Sequence, residues 1–178
     1  MRHLLPGGVL PFEGDKMKIG VTGKIGYGKA LELFCDNEEF LRTRFPGYYI
    51  RQFLVAKDEP CDYIMKNIIY VQDSDGGIYR ALWELCEELG CGCEVRLRDI
   101  PVMQEVIEIM ECFDEDPYES KGLNVTVAAA DELPDYFTVI GETNDTKDRI
   151  IVDGDARRFL TPPSRQDKDI ADRKTKRR

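Results

Sequence analysis

From Gly76 to Ala130 the apolar residues change their spacing three times, and that order restricts the chain to a mixed helix-and-sheet domain. Ile78, Ala81, Leu82, Leu85, Cys86 and Leu89 recur at the 3.6-residue period of one helix face. Gly90 is placed to end that helix in a left-handed cap. Cys93, Val95 and Leu97 then alternate with Glu94, Arg96 and Arg98, the period of a half-buried strand. Asp99 and Pro101 open a second helix, with Met103, Val106, Ile107, Met110 and Phe113 on its core face. The small and β-branched run "GLNVTVAAA" (122–130) follows as a strand. Strands and helices that both alternate and cluster fit an α+β domain better than a doubly wound sheet.

The flanking segments extend this pattern. "KIGVTG" (18–23) reads as a strand feeding a glycine-rich turn, and "NIIYVQ" (67–72) has the β-branched run of a buried strand. Residues 29–56 carry helical patches interrupted at Phe45-Pro46-Gly47. "YFTVIGE" (136–142) and "DRIIVDG" (148–154) supply two more strands. The expected division is a disordered leader over 1–17, one domain over 18–163, and a disordered basic tail over 164–178.

A length of 178 residues suits one domain with a proper core. The net charge of −9 is unevenly spread, because Ser164–Arg178 holds seven Lys/Arg against three Asp. The body is therefore strongly acidic, which argues against nucleic acid as a partner. No apolar run approaches the roughly 20 residues of a membrane span. Pro6, Gly7 and Gly8 break the only apolar stretch near the N-terminus, so the chain reads as cytoplasmic.

Cysteines stand at 35, 61, 86, 91, 93 and 112. C-x4-C-x-C is not a zinc spacing, and the single histidine, His3, lies near the chain start. Cys86 and Cys93 fall on apolar faces and Cys112 in an apolar helical run, where thiols act as small hydrophobes. No metal ligand is assigned. The acidic run "FDEDPYE" (113–119) reads as a solvated helix end and turn, and Trp83 as a residue at the core's edge or an interface.

Two glycine loops are the candidate sites. Gly76-Gly77 opens directly onto a helix, whose first N–H groups and dipole favour an anion. Gly23-x4-Gly28-Lys29 matches a phosphate-binding loop up to its last residue, where Ala30 replaces the hydroxyl that would meet Mg²⁺. A nucleotide-binding phosphotransferase using Lys29 is the alternative reading of that loop.

From Lys18 to about Pro163 the chain resembles the C-terminal domain of the aminoimidazole ribonucleotide (AIR) synthase superfamily, in its AIR synthase-related and HypE-like branches. The residues that carry this are "DSDGGIYRALWELCEE", "LGCGCEVRLRDIPVMQEVIEIMECFDEDPYES", "GLNVTVAAA" and "TVIGETNDTKDRIIVDG", in the family's order and near its spacing. Upstream, "VTGKIGYGKALEL" resembles the family's "VTKWIGLEGTAIL" with one residue fewer, which turns the Lys29 loop into that family's own glycine turn.

The resemblance implies a three-layer α/β/α domain with a mixed sheet, of the PurM C-terminal type. It implies ATP and Mg²⁺ as cofactors and phosphorylation of an amide or acid oxygen as the chemistry. By position, Ser74, Asp75, Gly76 and Gly77 would face the phosphates, with Gly26 and Gly28 on the other glycine turn. Three features depart from the family. The N-terminal domain is missing, Gln72 stands where the family has an aspartate, and the tail lacks the C-terminal cysteine of HypE. The expected role is an accessory domain or one half of a split enzyme, not active alone, partnered by a separate N-terminal domain or by a second copy.

Overall fold

The structure, a computed structural model, describes residues 16–59, 68–72 and 75–162. Seven strands are present among them: β1 (Lys18–Lys24), β2 (Ile69–Gln72), β3 (Gly92–Arg96), β4 (Leu123–Ala130), β5 (Thr138–Asn144), β6 (Arg149–Asp153) and β7 (Ala156–Phe159). The helices are α1 (Tyr27–Asp36), α2 (Glu38–Arg44), α3 (Gly47–Val55), α4 (Gly77–Leu89) and α5 (Gln104–Glu111). Short 3₁₀ turns occupy Ala56–Asp58, Leu97–Asp99 and Pro117–Glu119.

The strands join in one sheet of order β2-β4-β1-β5-β3-β6-β7. β3 and β6 pair in parallel and the other neighbours are antiparallel, so the sheet is mixed and the domain is α+β, as the sequence predicts. The register gathers Ile19, Val21, Ile69, Val71, Val127 and Ala129 on one face. These residues join Ile78, Leu82, Leu85 and Cys86 of α4 in one core, so the amphipathic helix read from its 3.6 spacing is the element that covers the sheet. Leu133, Tyr136 and Phe137, from the connection before β5, cover Ile68 and Ala128 on the opposite face.

α1, α2, α3 and α5 build a second core of their own around Tyr27, Phe34, Leu41, Ile50, Phe53 and Met110. Val102 packs against both cores and ties them together. The Tyr27 hydroxyl donates to the Phe53 carbonyl across 2.6 Å, and burial pushes the phenol pKa up to about 12.

Three sequence readings shift at element ends. The second helix does not open at Asp99. Leu97–Asp99 is a 3₁₀ turn and α5 starts at Gln104. Pro101 keeps Ile100 extended (φ −74°, ψ 115°), which bars the helix from starting earlier. Leu97 therefore sits at the core edge in that turn rather than on β3. The third shift is β7, which carries no apolar alternation and escapes any period-based reading, since all four of its residues are exposed.

The helical unit is clasped by one carboxylate. Tyr49 donates its hydroxyl to Glu108 Oε2 at 2.7 Å, and Gln104 donates to Oε1 at 2.8 Å. These bonds, that of Gln104 first, hold the Glu108 carboxyl below its usual range. Burial, with Glu108 beside it, pushes the Tyr49 phenol well up. A depressed carboxylate contributes stability that is complete above the unfolded value of about 4.3 and is lost as pH falls through the folded value. The raised phenol contributes below about pH 10 and loses its contribution as pH rises further. Melting between about pH 5 and pH 3 should therefore show a smaller fall for Glu108→Gln than for the wild type. Equal falls would show that the clasp does not titrate with stability.

Candidate functional site

The two glycine loops predicted from sequence meet at one place. Between them lies the turn Pro117–Glu119, a centrepiece that the sequence reading treated as a solvated helix end. Asp116 organises it by accepting from the Tyr118 N–H at 2.8 Å. Its carbonyl accepts from Ser120 Oγ at 2.7 Å and from the Glu119 N–H at 3.2 Å. Aspartate before proline is a turn signal, so "DPYE" could have located this structure.

Three of the four predicted glycines, Gly26, Gly28 and Gly77, press their Cα atoms against that turn or its continuation. A Cβ on Gly26 would lie 2.8 Å from Pro117 Cβ, and one on Gly28 would lie 2.8 Å from the Gly122 carbonyl oxygen. One on Gly77 would lie 2.6 Å from both Ser120 N and Tyr118 O. Gly77 also has φ +72°, and Gly26, the residue before α1, has φ +69°. Gly76 differs, because a Cβ there would meet only the side chain of Arg80 at 2.6 Å. Asp75 is exposed at the start of α4, while Gly76, Gly77 and Gly26 are buried and Gly28 is half-buried. Ser74 lies outside the described residues.

The phosphotransferase reading of Gly23–Lys29 is not supported by this geometry. The Lys29 N–H, which would cradle a phosphate, donates to the Lys121 carbonyl at 2.9 Å. The Lys29 ammonium lies 4.0 Å from Glu32, and Lys121 reaches the same carboxylate at 3.1 Å. Ala30 is buried and brings no hydroxyl. β1 is flanked on both sides by antiparallel strands, unlike the parallel sheet on which such loops sit. The string is a glycine turn fastened to residues 117–122.

Beside the junction, aromatic and arginine side chains bind the last strands to α4. Tyr79 and Tyr118 stack with centroids 5.9 Å apart. The Arg158 guanidinium lies 5.1 Å from the Tyr79 centroid and donates to its hydroxyl. Burial raises the pKa of both phenols. Arg149 sits 4.2 Å over the Trp83 ring and donates to Glu87 at 2.7 Å, so Trp83 is an edge residue fixed by a cation–π contact.

Among the described residues no group of three His, Cys, Asp or Glu side chains is arranged to hold a metal ion. No helix of the described residues is long and apolar enough to cross a membrane.

No protein-family model matches the chain. No curated protein sequence matches it either. Solved structures do. E. coli HypE, a hydrogenase maturation protein, superposes with a TM-score of 0.62 at 18% identity, covering 90% of this chain and 53% of that one. HypE in complex with ATP gives 0.56 at 13% identity, covering 84% and 51%. AaThiL complexed with AMPPCP and TMP gives 0.51 at 18% identity, covering 85% and 50%. The chain spans about half the length of these structures. Its fold is that of one half of HypE and of thiamine monophosphate kinase, the PurM-like architecture that the sequence resemblance implies.

Proposed function

We propose that this chain is the C-terminal half of a HypE-like, ATP-using protein, and that its two glycine loops border the nucleotide cleft. The observation that carries the reading is the match to one half of HypE, including a HypE structure in complex with ATP. The convergence of both loops on residues 116–122 supports it. That junction is a rigid backbone platform, and the first turn of α4 opens at its rim beside exposed Asp75.

In this role the chain is one half of the active unit. In this reading the carboxylates that hold Mg²⁺ come from the other half, whether on the same polypeptide or a separate one. ATP supplies the phosphoryl group that turns an amide or acid oxygen into a leaving group. This chain's share is to place N–H donors and the helix dipole near the phosphates. A HypE–HypF complex is known for a fold neighbour, and a protein partner is proposed here on that analogy alone, with the unit acting in the cytoplasm.

Calorimetric titration with Mg-ATP tests the reading. Saturable binding with a Kd near about 100 μM, or about −5.5 kcal/mol, is expected. Gly76→Glu is the informative variant. It meets only the movable Arg80 side chain, and an acid at a helix start is tolerated, yet its charge opposes the phosphates. Affinity should fall at least about tenfold, with unfolding unchanged. Absence of saturable heat in the wild type would overturn the proposal.

A further inference from the structure

The last turn of α4 and the first residues of β3 hold three buried thiols that the proposed function does not use. Cys86, Cys91 and Cys93 are each at most 1% exposed and none forms a disulfide. All three belong to the core cluster that α4 forms with the sheet, and Cys86 and Cys91 occupy the two positions whose side chains meet across a left-handed helix cap. The main chain closes the same loop. Gly90 caps α4 in the left-handed conformation and the Cys91 N–H donates to the Cys86 carbonyl at 3.2 Å. Two residues joined by such a backbone bond stand at a separation that a disulfide can span with little backbone movement. Attack by Cys91 is favoured, since the neighbouring Cys86 thiol first, and then the Arg149 guanidinium, hold its thiol below the usual range.

We propose that Cys86 and Cys91 are a redox-active dithiol, closed to an intramolecular disulfide by a low-molecular-weight disulfide, with Cys93 as a third thiol that stays reduced. The Cys91 thiolate attacks one sulfur of the small disulfide, forming a mixed disulfide as the first small thiolate leaves. The Cys86 thiol gives its proton to that leaving thiolate. Its sulfur then attacks Cys91, forming the Cys86–Cys91 bond and displacing the second small thiolate. The protein loses two electrons and two protons, and the small disulfide is reduced to two thiols. The cap at Gly90 provides the access route. Gly90 is exposed with open space around it, so local opening of residues 89–92 uncovers Cys91 without unfolding the sheet. The closed form ties the end of α4 to β3, at the opposite end of the helix from Gly76-Gly77. It does not depend on nucleotide binding.

The test uses the full chain, equilibrated over a series of oxidised-to-reduced glutathione ratios and quenched. Free thiols are then alkylated under denaturing conditions and located by peptide mass mapping. Two alkylation sites, Cys86 and Cys91, should disappear together at high ratios and return on reduction, while Cys35, Cys93 and Cys112 stay alkylated throughout. Cys93→Ala should leave the pair intact and Cys86→Ala should abolish it. Should Cys86→Ala not fold, Cys91→Ala serves the same purpose. Full alkylation of all thiols at every ratio overturns the proposal. So does a disulfide that involves Cys35, Cys61 or Cys112, or one that persists without Cys86.

Discussion

Gly77→Ala is expected to lower the free energy of unfolding by about 2–5 kcal/mol, a loss large enough to leave a domain of this size marginal. Two costs add. At φ +72° an alanine occupies the left-handed region, at about 1–2 kcal/mol. Its Cβ must also sit 2.6 Å from Ser120 N and Tyr118 O, which are backbone atoms of a turn held by Asp116. That overlap cannot be relieved by a rotamer change and adds about 1–3 kcal/mol. Gly76→Ala is the control, since its φ of −82° suits any residue and Arg80 can swing away. A urea melt checks the pair. Similar midpoints for the two variants would show that the turn yields and that the glycines are not set by packing.

Phe53→Ala should cost about 3–5 kcal/mol. The ring is fully buried in the helical core, with centroids 5.0 Å from Tyr27 and 5.9 Å from Phe34. Removing it leaves a cavity and deprives both aromatic neighbours of an edge contact. Phe53→Leu, which keeps most of the volume, should lose about 1.5 kcal/mol or less. Because Val102 belongs to both cores, unfolding of Phe53→Ala should remain a single transition. A biphasic curve, with α1, α3 and α5 melting before the sheet, would show two independent units.

The elements that follow from one strong local pattern were legible in the sequence. The face of α4 from Ile78 to Leu89 is read from its spacing, with buried Tyr79 left out, and its end is read from Gly90. Strands β1, β2 and β4 announce themselves by β-branched or alternating runs, as does the break at Pro46 between α2 and α3. What escaped notice depends on contacts between distant segments. β7 is a strand only because β6 supplies its hydrogen bonds, and its Arg157 is held by Glu94 from β3. Ile107 fits the helical spacing yet is only half-buried, while Ile109, not singled out, is fully buried against the helical core. The glycine loops were found, but not the reason for the glycines. Nothing in the local sequence shows that Gly26, Gly28 and Gly77 all bear on residues 117–122, some forty to ninety residues away. Cys86 and Cys93 were read as apolar and are buried, while Cys112 is half-buried, and the placing of Cys91 beside Cys86 requires the cap at Gly90.

The most direct measurement is an amide chemical-shift map of the isotopically labelled chain during titration with Mg-ATP. A nucleotide at the rim of the junction should shift the amides of Asp75 to Tyr79 first, with smaller changes at Gly26–Lys29 and residues 118–122, and Gly76→Glu should need at least about tenfold more Mg-ATP to reach the same shifts. Shifts confined to another surface, or none at saturating Mg-ATP, would contradict the assignment of these loops to the nucleotide.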